Sequence, residues 1–106
     1  MFKVLPNKEG IDKISIPIDI HCICAIGNET YTNQTMITLE KPDSYPEYIE
    51  FQQYLYETFE DKNFNIEQYV SDLCHVLKTA CGGTVTVESY VDDARKHFPV
   101  TITKTL

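Results

Sequence analysis

From Lys13 to Cys24 the chain alternates without a break. Ile14, Ile16, Ile18, Ile20, Cys22 and Cys24 fall on one side of an extended backbone, and Lys13, Ser15, Pro17, Asp19 and His21 fall on the other. That period belongs to a strand with one buried face. A helix would scatter the same residues around its circumference, because each step turns the chain by about 100°. A long strand buried on one side needs both strand neighbours and a covering layer, so this segment commits the chain to a layered sheet. Pro17 has no N–H to give to a ladder, which places the strand at an edge or turns that position away from a neighbour.

The rest of the chain supplies the missing parts. Gly27-Asn28 marks a turn, and Thr32 to Lys41 reads as a second strand, with Thr35, Ile37 and Leu39 alternating against Gln34, Met36 and Thr38. Ser44-Tyr45-Pro46-Glu47 has capping-box spacing and predicts a helix to about Glu60, with Tyr48, Phe51, Leu55 and Phe59 as its apolar stripe. Asp61-Lys62-Asn63 ends it. Asn65, with Gln68 at the reciprocal position, predicts the cap of a second helix carried by Ile66, Tyr69, Val70, Leu73, Leu77, Ala80 and Cys81 and stopped by Gly82-Gly83. Thr84 to Val91 alternates again through Val85, Val87 and Val91, Asp92-Asp93-Ala94-Arg95 turns the chain, and Phe98, Val100 and Ile102 read as a last strand. The order is ββααββ. It predicts an α+β fold, an antiparallel four-stranded sheet with two helices on one face, forming a single domain over residues 1–106 with residues 1–12 as an N-terminal arm.

Charge narrows the partners. The chain has 16 Asp+Glu against 9 Lys+Arg, a net charge of −7, and no local basic patch stands out, so tight binding to a phosphate backbone is disfavoured. No run is long enough for a membrane span or a signal-peptide core, and a cytoplasmic location with free thiols is the expectation. The cysteines at 22, 24, 74 and 81 have no zinc-finger spacing, and Cys74 and His75 point about 100° apart on a helix, so no metal site is expected.

Cys24 ends the first strand just before the turn, where a rigid element presents a side chain at a rim. It reads either as a small core hydrophobe or as a nucleophile, and the second role needs a base, a cation or a helix N-terminus beside it. Cys22, deeper on the same face, reads as core. His21 points to the opposite face and is poorly placed as that base. Glu50 and Glu67 lie in the first turns of the two helices, where a carboxylate complements the helix dipole whatever else it does.

Three strings add to this reading: Cys24-Ala25-Ile26, Ile49-Glu50-Phe51, and Asn65-Ile66-Glu67 leading into Val70-Ser71-Asp72-Leu73. With the ββααββ order, over about Ile14 to Ile102, they resemble the tunnelling fold (T-fold), and within it the 7-cyano-7-deazaguanine reductases of queuosine biosynthesis and their short single-unit relatives. The corresponding strings there are Cys-Pro-(Val/Ile), Glu-Ser-Lys-Ser-Leu-Lys and Phe-His-Glu.

The resemblance implies that Cys24 is a nucleophile adding to a nitrile carbon to give a covalent thioimide. It implies that Glu50 and Glu67 hold the 2-amino-pyrimidinone edge of a deazaguanine, and that sites form between subunits of a ring-shaped homo-oligomer. The family's acid falls at Tyr31, with Glu29 as the nearby substitute, and its Phe-His becomes Asn65-Ile66. Its phosphate-binding lysines are replaced within Glu50-Phe51-Gln52-Gln53-Tyr54-Leu55. No cofactor is therefore expected, and NADPH would be needed only by a true reductase. The expected chemistry is NADPH-independent, as in the single-unit relatives that form an amidine on tRNA. The net charge speaks against direct tRNA contact and favours a purine-like or deazapurine small molecule as the partner. The alternatives are an NADPH-dependent reductase with a diverged cofactor site and a non-catalytic T-fold binding or assembly subunit.

Overall fold

In the computed structural model, which describes residues 1–106, the chain runs β1 (Val4–Pro6), β2 (Lys13–Ile23), β3 (Thr30–Glu40), β4 (Ser44–Pro46), α1 (Tyr48–Phe59), α2 (Ile66–Cys81), β5 (Thr84–Val91) and β6 (Val100–Thr105). The four long strands form one antiparallel sheet in the order β2-β3-β5-β6, and β1 pairs with β4 in a small second sheet. The α+β class, the four-stranded antiparallel sheet and the two central helices follow the periodicity of the sequence.

β2 lies at the sheet edge, as Pro17 requires. Alternate residues of a strand turn their N–H and C=O groups to opposite edges. Ile23 pairs with Lys62 O and Phe64 N, and His21 O accepts from Asp61 N, all on the side away from β3. Unbroken register from Lys13 to Ile23 puts Pro17 on that same outer side, so its missing N–H costs the β2–β3 ladder nothing. The α1–α2 connection covers this edge at His21 and Ile23, and Lys13–Asp19 has a strand partner only on its β3 side.

One face of the sheet carries the core. Ile20, Cys22, Tyr31, Ile37, Leu39, Val85, Val87 and Val91 meet Phe51, Leu55 and Phe59 of α1 and Tyr69, Val70, Leu73, Cys74 and Leu77 of α2. Each large side chain removed from water there contributes on the order of 2 kcal/mol. Phe59 is the aromatic hub, with ring centroids 5.1 Å from both Phe64 and Tyr69. Three polar residues, Asn33, Thr35 and Ser89, are also buried on this face and satisfy one another's neighbourhood: Ser89 Oγ donates to Asn33 Oδ1 at 2.8 Å, and Thr35 Oγ1 and Tyr69 OH share a hydrogen bond of 2.7 Å.

The helix ends differ in how well their chemistry was legible. Asn65 caps α2 through Gln68 N at 2.8 Å, as predicted. Gly82 and Gly83 follow with φ of 65°, and a Cβ on Gly83 would lie 2.6 Å from Lys41 O, so glycine is required there. The predicted capping box at Ser44 does not form. Ser44–Pro46 is β4, paired with the arm residues Val4–Pro6, and the cap is Glu47, whose carboxylate accepts from Ile49 N and Glu50 N. The arm is also anchored by Phe2, which packs edge-on against Phe51 at 4.8 Å. The last strand begins at Val100 rather than Phe98. Pro99 removes the N–H that would extend the ladder, and Phe98 stands 75% exposed in the Asp92–Pro99 loop. No helix is long and apolar enough to cross a membrane.

Candidate functional site

At the end of the sheet where β2 finishes, a cavity of about 470 Å³ opens between two loops and the start of α2. The β2–β3 turn contributes Cys24, Ile26 and Glu29. The turn is closed by Cys24 N donating to Glu29 O at 2.7 Å and Asn28 N donating to Cys24 O at 3.0 Å. Asn28 takes the left-handed conformation, φ 52°, that such a turn needs and that Asn tolerates better than most residues. Cys24 is held half-buried one residue beyond the strand.

The opposite wall is the first turn of α2. Asn65, Ile66 and Glu67 reach the cavity there, with Glu67 beside the helix N-terminus. The Tyr31 hydroxyl, on the floor, donates to Phe64 O at 2.7 Å and so fixes the approach to this helix. Burial pushes the Tyr31 phenol well above its ordinary range, and it stays a neutral hydroxyl. The third wall is the β5–β6 loop with Ala94, Lys96, His97 and Phe98, backed by Val100 and Ile102 of β6. Arg95 N donates to Glu29 Oε1 at 2.7 Å, which pins this loop to the β2–β3 turn.

Of the residues singled out from the sequence, Cys24, Glu29 and Glu67 line one cavity. Glu50 does not. It occupies the first turn of α1, where its Oε1 accepts from Lys3 N at 3.1 Å. The far end of α1 carries Glu60 beside His21, and ten helical residues span about 15 Å, so within one chain Glu50 lies well away from Cys24. His21 faces outward, its Nδ1 2.9 Å from Glu60 Oε1.

The other thiols are core. Cys22 and Cys74 are fully buried and Cys81 is 1% exposed. Burial pushes the thiols of Cys22 and Cys81 up to about 11 and raises that of Cys74, so all three stay protonated near neutrality. No three His, Cys, Asp or Glu side chains are grouped as metal ligands.

Three lining residues escaped sequence reasoning: Lys96, His97 and Phe98. Arg95-Lys96-His97 is the one run of adjacent basic side chains in the chain. It was hidden by the acidic total and by the reading of Phe98 as strand. A larger groove of about 760 Å³ lies between β2 and α1, walled by Ile14, Ile16, Ile18, Tyr48 and Phe51, but it contains neither a thiol nor a cation. Compared with known proteins, the chain matches no family model and no curated protein sequence.

Proposed function

We propose that this protein is a T-fold enzyme that binds a 7-deazaguanine-type base in the cavity and attacks its nitrile with Cys24, without a nicotinamide. The observation that carries this reading is the convergence of Cys24, Glu29 and Glu67 on one cavity. Its volume lies within the range of small-molecule sites, roughly 300–1,000 Å³. Ile66, Phe98, Val100 and Ile102 offer apolar walls to a flat ring. Glu67, as a carboxylate, can accept from a ring N–H and an exocyclic amine together, a two-point contact that favours a 2-amino-pyrimidinone edge. Glu29 lines the cavity while its Oε1 holds Arg95 N.

In the attack the Cys24 sulfur bonds to the nitrile carbon, one C≡N π bond opens onto nitrogen, and the thiol proton ends on that nitrogen. The product is a thioimide, which an amine nucleophile converts to an amidine as the C–S bond breaks and the Cys24 thiol is released with the amine's proton. NADPH does not fit. Gln52 and Leu55 stand where the resembling family has lysines, and Leu55 is fully buried, so no phosphate-binding cation is presented there. We derive no hydride step.

Glu50 enters this reading through a second copy. The sheet has two free edges, the Lys13–Asp19 stretch of β2 and β6, running in opposite directions. A head-to-tail pairing of one with the other would continue the sheet around a ring and bring elements of a neighbour to each cavity. The test is incubation with 7-cyano-7-deazaguanine followed by intact mass spectrometry. The expected result is a single adduct of the mass of the nitrile, lost in Cys24→Ala. No adduct, or one that survives in Cys24→Ala, removes the proposal.

A further inference from the structure

The cavity is lined by one thiol and one imidazole, Cys24 and His97. We infer that His97 is the proton-transfer group for Cys24. The substrate named for it rests on the nitrile reading above, whereas the pairing itself rests on the two residues lining one cavity and on the hydrogen bonds that tie their loops together.

His97 is the only histidine among the cavity's lining residues. His21 is turned to the outer face and engaged by Glu60, and His75 sits exposed on α2 away from the cavity. The loop that carries His97 is anchored two residues earlier, where Arg95 N donates to Glu29 Oε1 at 2.7 Å. That bond joins the His97 loop to the same turn that carries Cys24, and Cys24 N is itself bonded to Glu29 O at 2.7 Å. Glu29 thus ties both partners of the pair through its side chain and its main chain.

The ring is also set in a usable tautomer. His97 Nδ1 lies 2.7 Å from Phe98 O. A carbonyl can only accept, so Nδ1 carries the hydrogen and the neutral ring leaves Nε2 as a free acceptor. Charged and titratable groups around it are Glu29, Glu67, Lys96, Tyr31 and Cys24, with Arg95 in the same loop. As the C–S bond forms, Nε2 accepts the thiol proton, and the imidazolium returns it to the nitrile nitrogen as the π bond opens. Thiol and nitrile become thioimide, the imidazole is regenerated, and nothing is oxidised or reduced.

The test follows the alkylation of Cys24 by iodoacetamide, using intact mass and peptide mapping, in wild type, His97→Asn and His97→Gln from pH 6 to 10. A base matters only while the thiol is protonated. At pH 7 both variants should therefore react at least about fivefold more slowly than wild type, and at pH 10 the difference should vanish. Equal rates at pH 7, or a difference that persists at pH 10, overturns the inference, since a merely structural effect would not depend on pH. If the variants fail to fold by far-UV circular dichroism, the same comparison is made on wild type before and after diethylpyrocarbonate modification of His97, with the same two outcomes. A parallel arm measures the 7-cyano-7-deazaguanine adduct. A wild type that shows the pH-dependent alkylation difference but no adduct loses the nitrile reading and keeps the Cys24–His97 pair. An adduct that forms equally fast without His97 keeps the nitrile reading and loses the pair.

Discussion

The hydroxyl of Tyr31 donates to the carbonyl oxygen of Phe64 across 2.7 Å. This bond joins the start of β3 to the residue before the Asn65 cap, so it sets where α2, and with it Glu67, meets the end of β2. Tyr31→Phe keeps the ring and removes only the bond. It should lower unfolding stability by about 1 kcal/mol, read from urea denaturation, and should slow any Cys24 adduct formation by displacing Glu67. An unchanged denaturation midpoint would show that the α2 approach is fixed by packing alone.

The thiols are predicted to separate cleanly by reactivity. Cys24 is half-buried at a cavity mouth, whereas Cys22, Cys74 and Cys81 are in the core. Native protein treated briefly with iodoacetamide at pH 8 should gain one adduct, mapping to Cys24, and protein in concentrated urea should gain one on every cysteine. Rapid labelling of Cys74 or Cys81 in the native state would contradict the packing described above.

Alkaline pH should weaken the fold. Burial raises the thiols of Cys22 and Cys81 from the ordinary 9.0 to about 11, and it raises the Tyr69 phenol in the same direction. A raised pKa means that the folded state holds its proton where the unfolded state has released it, so above the unfolded value the unfolded chain binds fewer protons and stability falls with pH. The urea midpoint should therefore be level from pH 7 to 8.5 and decline between pH 9 and 11. Cys81→Ala should make that decline shallower, and a midpoint that rises over the same interval would contradict the assignment.

Ser89 and Asn33 form a buried pair at 2.8 Å with neither side chain exposed. Asn33 Nδ2 has Ile20 O and Cys22 Sγ as further partners at 3.3 Å, but its Oδ1 relies on Ser89. Ser89→Ala should cost about 1–3 kcal/mol, because it leaves a dry acceptor unsatisfied, which is more than the loss of an exposed hydroxyl would cost. Replacing both residues by apolar side chains should recover part of that loss in a double-mutant cycle.

Ligand recognition gives a last check. Glu67→Gln removes the charge while keeping the shape. It should weaken binding of a guanine-like ring about tenfold or more, measured by calorimetry with 7-cyano-7-deazaguanine in a Cys24→Ala background. Equal affinity would remove Glu67 from the recognition edge.

Local pattern was enough for the alternation from Lys13 to Ile23, the α2 stripe from Ile66 to Cys81, the Asn65 cap and the Gly82-Gly83 stop. Each of these depends on neighbours within a few residues, whose spacing is written directly in the chain. It was not enough at Ser44. Its pairing with Pro6 comes from a segment far away in sequence, and no periodicity signals that the N-terminal arm returns to make a strand. Ser89 was passed over for the same kind of reason, since its burial is possible only because Asn33, diagonal to it on β3 beside its direct partner Thr35, accepts from its hydroxyl.

The site divides along this line. The sequence by itself determined which end of β2 carries Cys24 and which helix start carries Glu67, because strand length and capping are local. Only the tertiary structure decided that Cys24, Glu29 and Glu67 share a cavity while Glu50 is tied to Lys3, and that the Asp92–Pro99 loop brings His97 to the same place. Loop positions come from long-range hydrogen bonds such as that from Arg95 N to Glu29 Oε1, and strand order comes from packing, so neither leaves a period that can be read along the chain.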